Sequence, residues 1–268
     1  MKPISISEQM MFNTVKLSTS TGSGTGFFFT FYLENKQYPV IITNKHVVNN
    51  KTQEEVTFTL HLKNEDDSST ENLNIVYNTN WYFHSKYDLC FCFINPIFEL
   101  VKQKTGKDVF YRTNDENIII SQEKLNELSQ LEEVVMIGYP IGLSDNKNNF
   151  PIFRKGYTAT HPAIDFNGDK IGLVDMACFP GSSGSPIFIL NEGSYADKNG
   201  NLYAGSRVIF LDNMLCLLIF LQKRGFSLKL GKTNLTKALP KCKKETQHGN
   251  YNLCRNGCPQ RQLFIMLL

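Results

Sequence analysis

No segment of this chain is apolar for long enough to form a membrane-spanning helix. The most apolar stretch, Val208 to Leu221, is broken by Asp212-Asn213 and falls short of the ~20 residues such a helix needs. The opening Met1-Lys2-Pro3-Ile4-Ser5-Ile6-Ser7-Glu8 lacks the continuous apolar core of a secretion signal. Cysteines number seven, an odd count, and Cys90 and Cys92 lie inside an apolar run where thiols are commonly buried. A secreted disulfide framework is therefore not expected. Together these absences predict a soluble, cytoplasmic protein with no membrane partner. Acidic residues are scarce at one end only. From Lys223 onward ten Lys and Arg accompany a single acid, Glu245, whereas residues 1–222 carry 18 basic and 24 acidic side chains. The formal net charge of +3 thus hides two segments of different kind.

What the chain does hold is β-forming sequence. Residues 10–18, 26–33 and 38–43 read as strands, the second being the β-former run Phe27-Phe28-Phe29-Thr30-Phe31-Tyr32. Val56, Phe58, Leu60 and Leu62 alternate with Thr57, Thr59 and His61, the pattern of a half-buried strand. Residues 73–77 and 89–94 continue the series, joined by the aromatic link Trp81-Tyr82-Phe83-His84. Residues 95–130 change character and read as a connector with short helical turns, one of them capped by Ser121. Strands resume at 133–138, 150–160, 171–178, 187–190 and 202–211. Short strands separated by Gly, Pro and Asn turns argue for an all-β sandwich or barrel.

One turn carries chemistry. In Phe179-Pro180-Gly181-Ser182-Ser183-Gly184-Ser185-Pro186 a serine is flanked by glycines that permit unusual backbone angles and leave room for an approaching carbonyl. Backbone N–H groups in such a turn can converge on a developing oxyanion. Taken alone, the segment also suits an ordinary turn between strands.

Three segments nevertheless occur in order: Ile42-Thr43-Asn44-Lys45-His46-Val47-Val48, Lys86-Tyr87-Asp88-Leu89-Cys90, and Gly181-Ser182-Ser183-Gly184-Ser185-Pro186. This set resembles the trypsin-like (chymotrypsin-fold) serine peptidases, in particular the bacterial trypsin-like peptidase domains. The His, Asp, Ser order is the chymotrypsin order. Gly22-Ser23-Gly24-Thr25-Gly26-Phe27 and Gly138-Tyr139-Pro140 resemble the family's entries to its first and second barrels, so the resemblance spans roughly residues 12–211. It implies an all-β fold of two six-stranded antiparallel β-barrels, with an atypical C-terminal tail. The expected divisions are an N-terminal barrel over 1–120, a C-terminal barrel over 121–222 that lacks glycines the family's pocket wall usually carries, and a basic, cysteine-containing tail over 223–268. It implies a serine endopeptidase working through an acyl-enzyme on peptide or protein substrates, without cofactor or nucleic-acid partner. His46 would be the general base, Asp88 the orienting acid in preference to Asp66 or Asp67, and Ser183 the nucleophile in preference to Ser182 or Ser185. The N–H groups of Gly181 and Ser183 would form the oxyanion hole. The other reading is a catalytically impaired relative that binds peptides.

The resemblance also implies a pocket for the side chain preceding the cut. Ala177 stands six residues before Ser183, where the family often places the pocket base; it is no acid, so a trypsin-like preference for Lys or Arg is not expected. Asp175 lies two residues further away, and His161 falls where some glutamate- or glutamine-selective relatives place pocket residues. No glycine occurs between Gly205 and Gly225, where the family's pocket wall usually carries some. The tail beyond fits a divergent ending, a small added module or the out-of-register product of a frameshifted gene, the charge change near residue 212 favouring the last. Cys242, His248, Cys254 and Cys258 suggest zinc, but their spacing matches no standard finger, and no metal is expected.

Overall fold

Two curled antiparallel sheets share an apolar layer, and the strand sequences explain how. The computed structural model describes residues 1–33, 36–141, 143, 145–169, 171–211 and 262–267. A short helix, α1 (Ile6–Met10), opens the chain, followed by β1 (Thr14–Thr19), β2 (Gly22–Leu33), β3 (Lys36–Thr43), β4 (Gln53–Leu62), β5 (Glu71–Asn80), β6 (Tyr82–Phe83) and β7 (Cys90–Phe93). Helix α2 (Asn95–Thr105) leads to β8 (Val109–Phe110), which completes the first sheet in the order β5-β4-β1-β2-β3-β7-β6 by pairing with β4. Beyond helix α3 (Gln122–Leu125) come β9 (Glu133–Gly138), β10 (Ile152–Thr158), β11 (Ile171–Met176) and β12 (Ile187–Asn191). A separate hairpin, β13 (Ser194–Ala196) with β14 (Leu202–Ala204), precedes β15 (Arg207–Phe210) and β16 (Gln262–Leu267). The second sheet runs β15-β12-β9-β10-β11-β16. The fold is all-β and chymotrypsin-like.

Strand β2 shows how the layers divide. Phe28 points into the first core with Val15, Leu17, Ile41, Phe58 and Trp81. Phe27, Phe29 and Phe31 point the other way, into a layer shared with Val40, Ile42 and Phe91 of the first sheet and Val135, Ile137, Phe188 and Phe210 of the second. Strand β9 repeats the division, with Val134 and Met136 joining Val174, Met176, Ile187 and Ile189 in a third cluster. Strands covered on both faces are apolar at consecutive positions, because successive side chains point to opposite faces. Strand β4 bears Val56, Phe58, Leu60 and Leu62 on its core face, as its alternation predicts. Cys90 and Cys92 are buried and unbridged, and burial pushes both thiols far above their ordinary range, so neither supplies a thiolate.

Of the strand boundaries that differ from the sequence reading, two have a plain physical cause. Met10 ends a helix instead of starting a strand, because Ser5 and Glu8 form a reciprocal capping box. The run 202–211 divides into β14 and β15 at Gly205, whose φ of +146° suits glycine alone. The connector 95–130 packs on both halves. Ile97 and Val101 of α2 enter the first core, while Ile119 bridges to Phe210 in the second sheet. Strand β16 runs antiparallel to β11, from Ile171↔Leu267 to Met176↔Gln262. The expectations for 212–261 and Leu268, including Cys242, His248, Cys254 and Cys258, lie outside the described residues. Among the described residues no helix is long and apolar enough to cross a membrane, and no cluster of His, Cys, Asp or Glu is arranged to hold a metal.

His61 pins the halves together on the far side of β4. Its ring is buried beside Phe12 and Phe150, and its Nε2–H donates to the Asn149 carbonyl at 3.1 Å. That carbonyl also accepts the Tyr139 hydroxyl at 3.1 Å, and the Asn149 side chain returns a bond to Thr59 O. Burial lowers the His61 pKa to about 4. The folded chain therefore favours neutral His61, a stabilisation present in full above the ordinary value near 6.5 and lost as pH falls toward 4. Unfolding in urea at pH 7 and pH 4.5 is expected to show a loss for the native chain, up to ~3 kcal/mol from this group, that His61→Phe largely removes.

Candidate active site

The turn between β11 and β12 is held by its carbonyls. Pro180 O accepts the Ile141 N–H at 2.7 Å, Gly181 O the Thr25 hydroxyl at 3.0 Å, Ser182 O the Ser185 N–H at 3.0 Å, and Ser183 O the Thr25 N–H at 2.8 Å. The N–H groups of Gly181, Ser183 and Gly184, by contrast, donate to no acceptor among the described residues. Unpaired N–H groups are rare inside proteins, and three in one turn leave donors free for a ligand oxygen. Glycine is obligatory at two of these positions. Gly181 and Gly184 have φ of +88° and +82°, and a Cβ on Gly184 would lie 2.0 Å from Thr25 O. The three serines differ. Ser182 is buried with its hydroxyl turned to the Phe179 N–H, Ser185 Oγ is buried against Gly138, and Ser183 is half-buried. The Ser183 hydroxyl makes no hydrogen bond to another described residue.

Thr25 of β2 joins this turn to both sheets. Besides its bonds to Ser183 O and Gly181 O, its hydroxyl accepts the Tyr139 N–H at 2.9 Å, and its carbonyl accepts the Thr43 hydroxyl at 2.7 Å. The neighbouring Gly24 lies between Val47 and Ser183: a Cβ there would meet Val47 methyls at 2.7 Å and Ser183 O at 3.2 Å. The turn therefore packs against the segment that carries His46. Thr25 is the functional residue the sequence reading misses. Its position in the barrel entry was visible, but its role depends on partners more than a hundred residues away.

His46 sits in the 3₁₀ turn Lys45–Val48 that follows β3, and Asp88 just precedes β7. Pairing of β3 with β7, through Thr43↔Cys90, brings them together. His46 Nδ1 donates to Asp88 Oδ2 at 2.6 Å, and the His46 N–H reaches Asp88 Oδ1 at 3.3 Å. The Asn44 side chain fixes the Asp88 carbonyl at 2.6 Å. With Nδ1–H committed to the carboxylate, Nε2 is the basic nitrogen. The hydrogen bond that His46 donates to Asp88 raises the His46 pKa above its usual value, desolvation opposing it. The two side chains are 51% and 50% exposed, so water screens the pair. The loop carrying Asp88 is organised by His84, whose Nδ1 accepts the N–H groups of Lys86 and Tyr87 at 3.1 and 2.9 Å. Lys86 then crosses to the second half, 2.9 Å from Asp169. The rival acids serve elsewhere: Asp66 accepts the Ser68 hydroxyl, and Asp67 pairs with Lys63 and Arg112.

The expected pocket residues are not brought together. Ala177 is exposed just beyond β11. His161 belongs to the loop at the other end of that strand, where the neighbouring Thr160 bonds to Leu173, and it lines a 310 Å³ depression with Gln130, Ile164 and Phe166. A strand rise of ~3.3 Å per residue puts Leu173 about 13 Å from Ala177. Asp175 is exposed on β11, opposite Tyr157.

Two curled sheets joined at a glycine-flanked serine turn, with a histidine–aspartate pair on the first sheet, define a chymotrypsin-like fold. The family model of the trypsin-like peptidase domain matches residues 24–195, and the chain belongs to that family. No curated protein matches it. Solved structures that are similar include the Rv3671c protease of M. tuberculosis in its active form (16% identity, TM-score 0.37, 82% of this chain and 84% of that one). The thermostable serine protease AL20 from an extremophilic microorganism is 14% identical (TM-score 0.38, 75% and 91%). The scabies mite inactivated protease paralogue S-I1 is 11% identical (TM-score 0.41, 81% and 97%).

Thr25→Val removes one hydroxyl and strands both the Gly181 carbonyl and the Tyr139 N–H. Chemical denaturation is expected to show a loss of about 2–5 kcal/mol, while Thr25→Ser, which keeps the hydroxyl, stays much closer to the native chain.

Proposed function

We propose that the chain is a serine endopeptidase acting on peptide or protein substrates, with His46, Asp88 and Ser183 as its triad. The observation that carries this reading is the packing of the Ser183 turn, with its free N–H groups, against the segment bearing the His46–Asp88 pair. In the reaction, His46 Nε2 takes the Ser183 hydroxyl proton as Oγ attacks the substrate carbonyl carbon. The oxyanion so formed accepts hydrogen bonds from the N–H groups of Gly181 and Ser183, already oriented by their tethered peptide planes. Collapse breaks the C–N bond, and the imidazolium returns its proton to the departing amine. Water, deprotonated by the same nitrogen, then hydrolyses the acyl-enzyme. Asp88 keeps the proton on Nδ1 and stabilises the imidazolium. Ala177 would line the recess for the side chain preceding the cut and offers a cationic side chain no partner. His161, in the loop that precedes β11, would meet a substrate away from the scissile bond.

A second reading, a peptide-binding relative without turnover, is favoured by the missing hydrogen bond between Ser183 and His46. The two readings part in one experiment. A fluorophosphonate probe is expected to label the native protein at Ser183, and Ser183→Ala to abolish both labelling and peptide cleavage. Folded native protein that takes no label would favour the binding module.

The His46 environment sets the pH dependence. The general base must be neutral, so labelling is expected to fall as pH drops through a midpoint above 6.5, the ordinary value for histidine. Asp88→Asn is expected to move that midpoint down and to slow labelling by roughly 10³–10⁴. A midpoint unmoved by that substitution would separate Asp88 from His46 function.

A further inference from the structure

Three arginines lie among the described residues, and two have carboxylate partners: Arg112 with Asp67 and Arg207 with Glu132. Arg154 has none. It stands on β10, where Lys155 and Tyr157 are exposed while Gly156 and Thr158 are buried. Gly156 lies beneath Met176, so this inward set faces the interior of the second sheet. The Arg154 guanidinium rests 3.9 Å above the Phe179 ring, and its Nη1–H donates to Ala177 O at 3.0 Å. These two anchors flank Cys178 in the segment that runs directly into the Ser183 turn. Phe179 is itself part of that turn, its carbonyl accepting the Ser182 N–H at 3.0 Å. Desolvation lowers the Arg154 pKa from its ordinary value, as expected for a half-buried cation without a counter-ion. Asp175, two residues before the Ala177 carbonyl that Arg154 bonds, is exposed and makes no ion pair with it among the described residues.

A guanidinium has five donors in a fixed fork, and here one is used. The Phe179 ring beneath it and the bond to Ala177 O anchor the guanidinium and leave the remaining N–H groups to bind an oxyanion. Ala177 contributes only a methyl group beside it. We infer that Arg154 is a specificity-determining residue, binding the carboxylate of a substrate Asp or Glu side chain on the acyl side of the cut. This deepens the peptidase reading and rests on it for the identity of the ligand. It goes beyond the resemblance, which gives a basic side chain no partner at Ala177, points to His161 as a pocket residue and assigns Arg154 no role.

The test separates binding from turnover. Ser183→Ala protein is titrated, by fluorescence anisotropy at low salt, with labelled short peptide amides ending in glutamate or in glutamine. The C-terminal amide ensures that only the side-chain carboxylate distinguishes them. The glutamate peptide is expected to bind roughly tenfold tighter or better, with a preference that shrinks as salt rises. In the Ser183→Ala background, Arg154→Gln is expected to erase the preference and Arg154→Lys, which keeps the charge, to retain part of it; circular dichroism checks that each variant is folded. Equal affinities, no measurable binding of either peptide, or a preference surviving Arg154→Gln would overturn the inference. Fluorophosphonate labelling of native and Arg154→Gln protein is measured in parallel. Labelling unaffected by Arg154→Gln, together with no glutamate preference, sinks the role of Arg154 and leaves the peptidase reading standing. A glutamate preference with no labelling does the reverse.

Discussion

The hydroxyl and backbone of Thr25 are the junction at which the two sheets and the serine turn meet. One buried residue bonds the carbonyls of Gly181 and Ser183, the N–H of Tyr139 and the hydroxyl of Thr43. These belong to the serine turn, the start of the second half and the strand leading to His46. Each bond alone contributes on the order of 1 kcal/mol, but in a dry site an unmade one costs more than a made one contributes. The close approach this requires explains the surrounding glycines. A side chain at Gly184 or Gly138 would collide with Thr25 itself.

Much of this was legible in the residues. The alternation of β4, the β-former run of β2 and the order of His46, Asp88 and Ser183 are local patterns; the first two become strands with the expected buried faces, and in the third His46 and Asp88 come within hydrogen-bond distance. The structure also separates Ser183 from Ser182 and Ser185 by burial of the latter two hydroxyls. Other features left no local trace. Asn44 bonds the Asp88 carbonyl and His84 orders the loop before it through the Lys86 and Tyr87 N–H groups, and Arg154 is distinguished by the carboxylate it lacks, a fact no spacing encodes. The helix at Ile6–Met10 did carry a signal, Ser5-x-x-Glu8, that was overshadowed by the apolar residues after it. His161 and Ala177 looked like partners because each matched a pocket position separately; the register of β10 and β11 puts them at opposite ends of one strand.

His61 and His46 show the same ring tuned in opposite directions. His61, enclosed by aromatic rings with only carbonyls to bond, is held neutral. His46, half in water with a carboxylate on Nδ1, is made more basic. Burial dominates the first and a charged hydrogen bond the second. The chain thus keeps a structural imidazole away from titration near neutrality while leaving the other poised there.

The bond from Thr25 to Gly181 spans 156 residues of sequence. Contacts that distant form only after the intervening chain has been made and ordered, which is slow compared with hairpin closure. During synthesis, β3 and β7 can pair and bring His46 to Asp88 while the serine turn does not yet exist. A base without a nucleophile harms nothing. The turn that would receive an oxyanion docks only when β2 captures its Gly181 and Ser183 carbonyls, so any hydrolytic capacity arrives last, as a property of the finished chain.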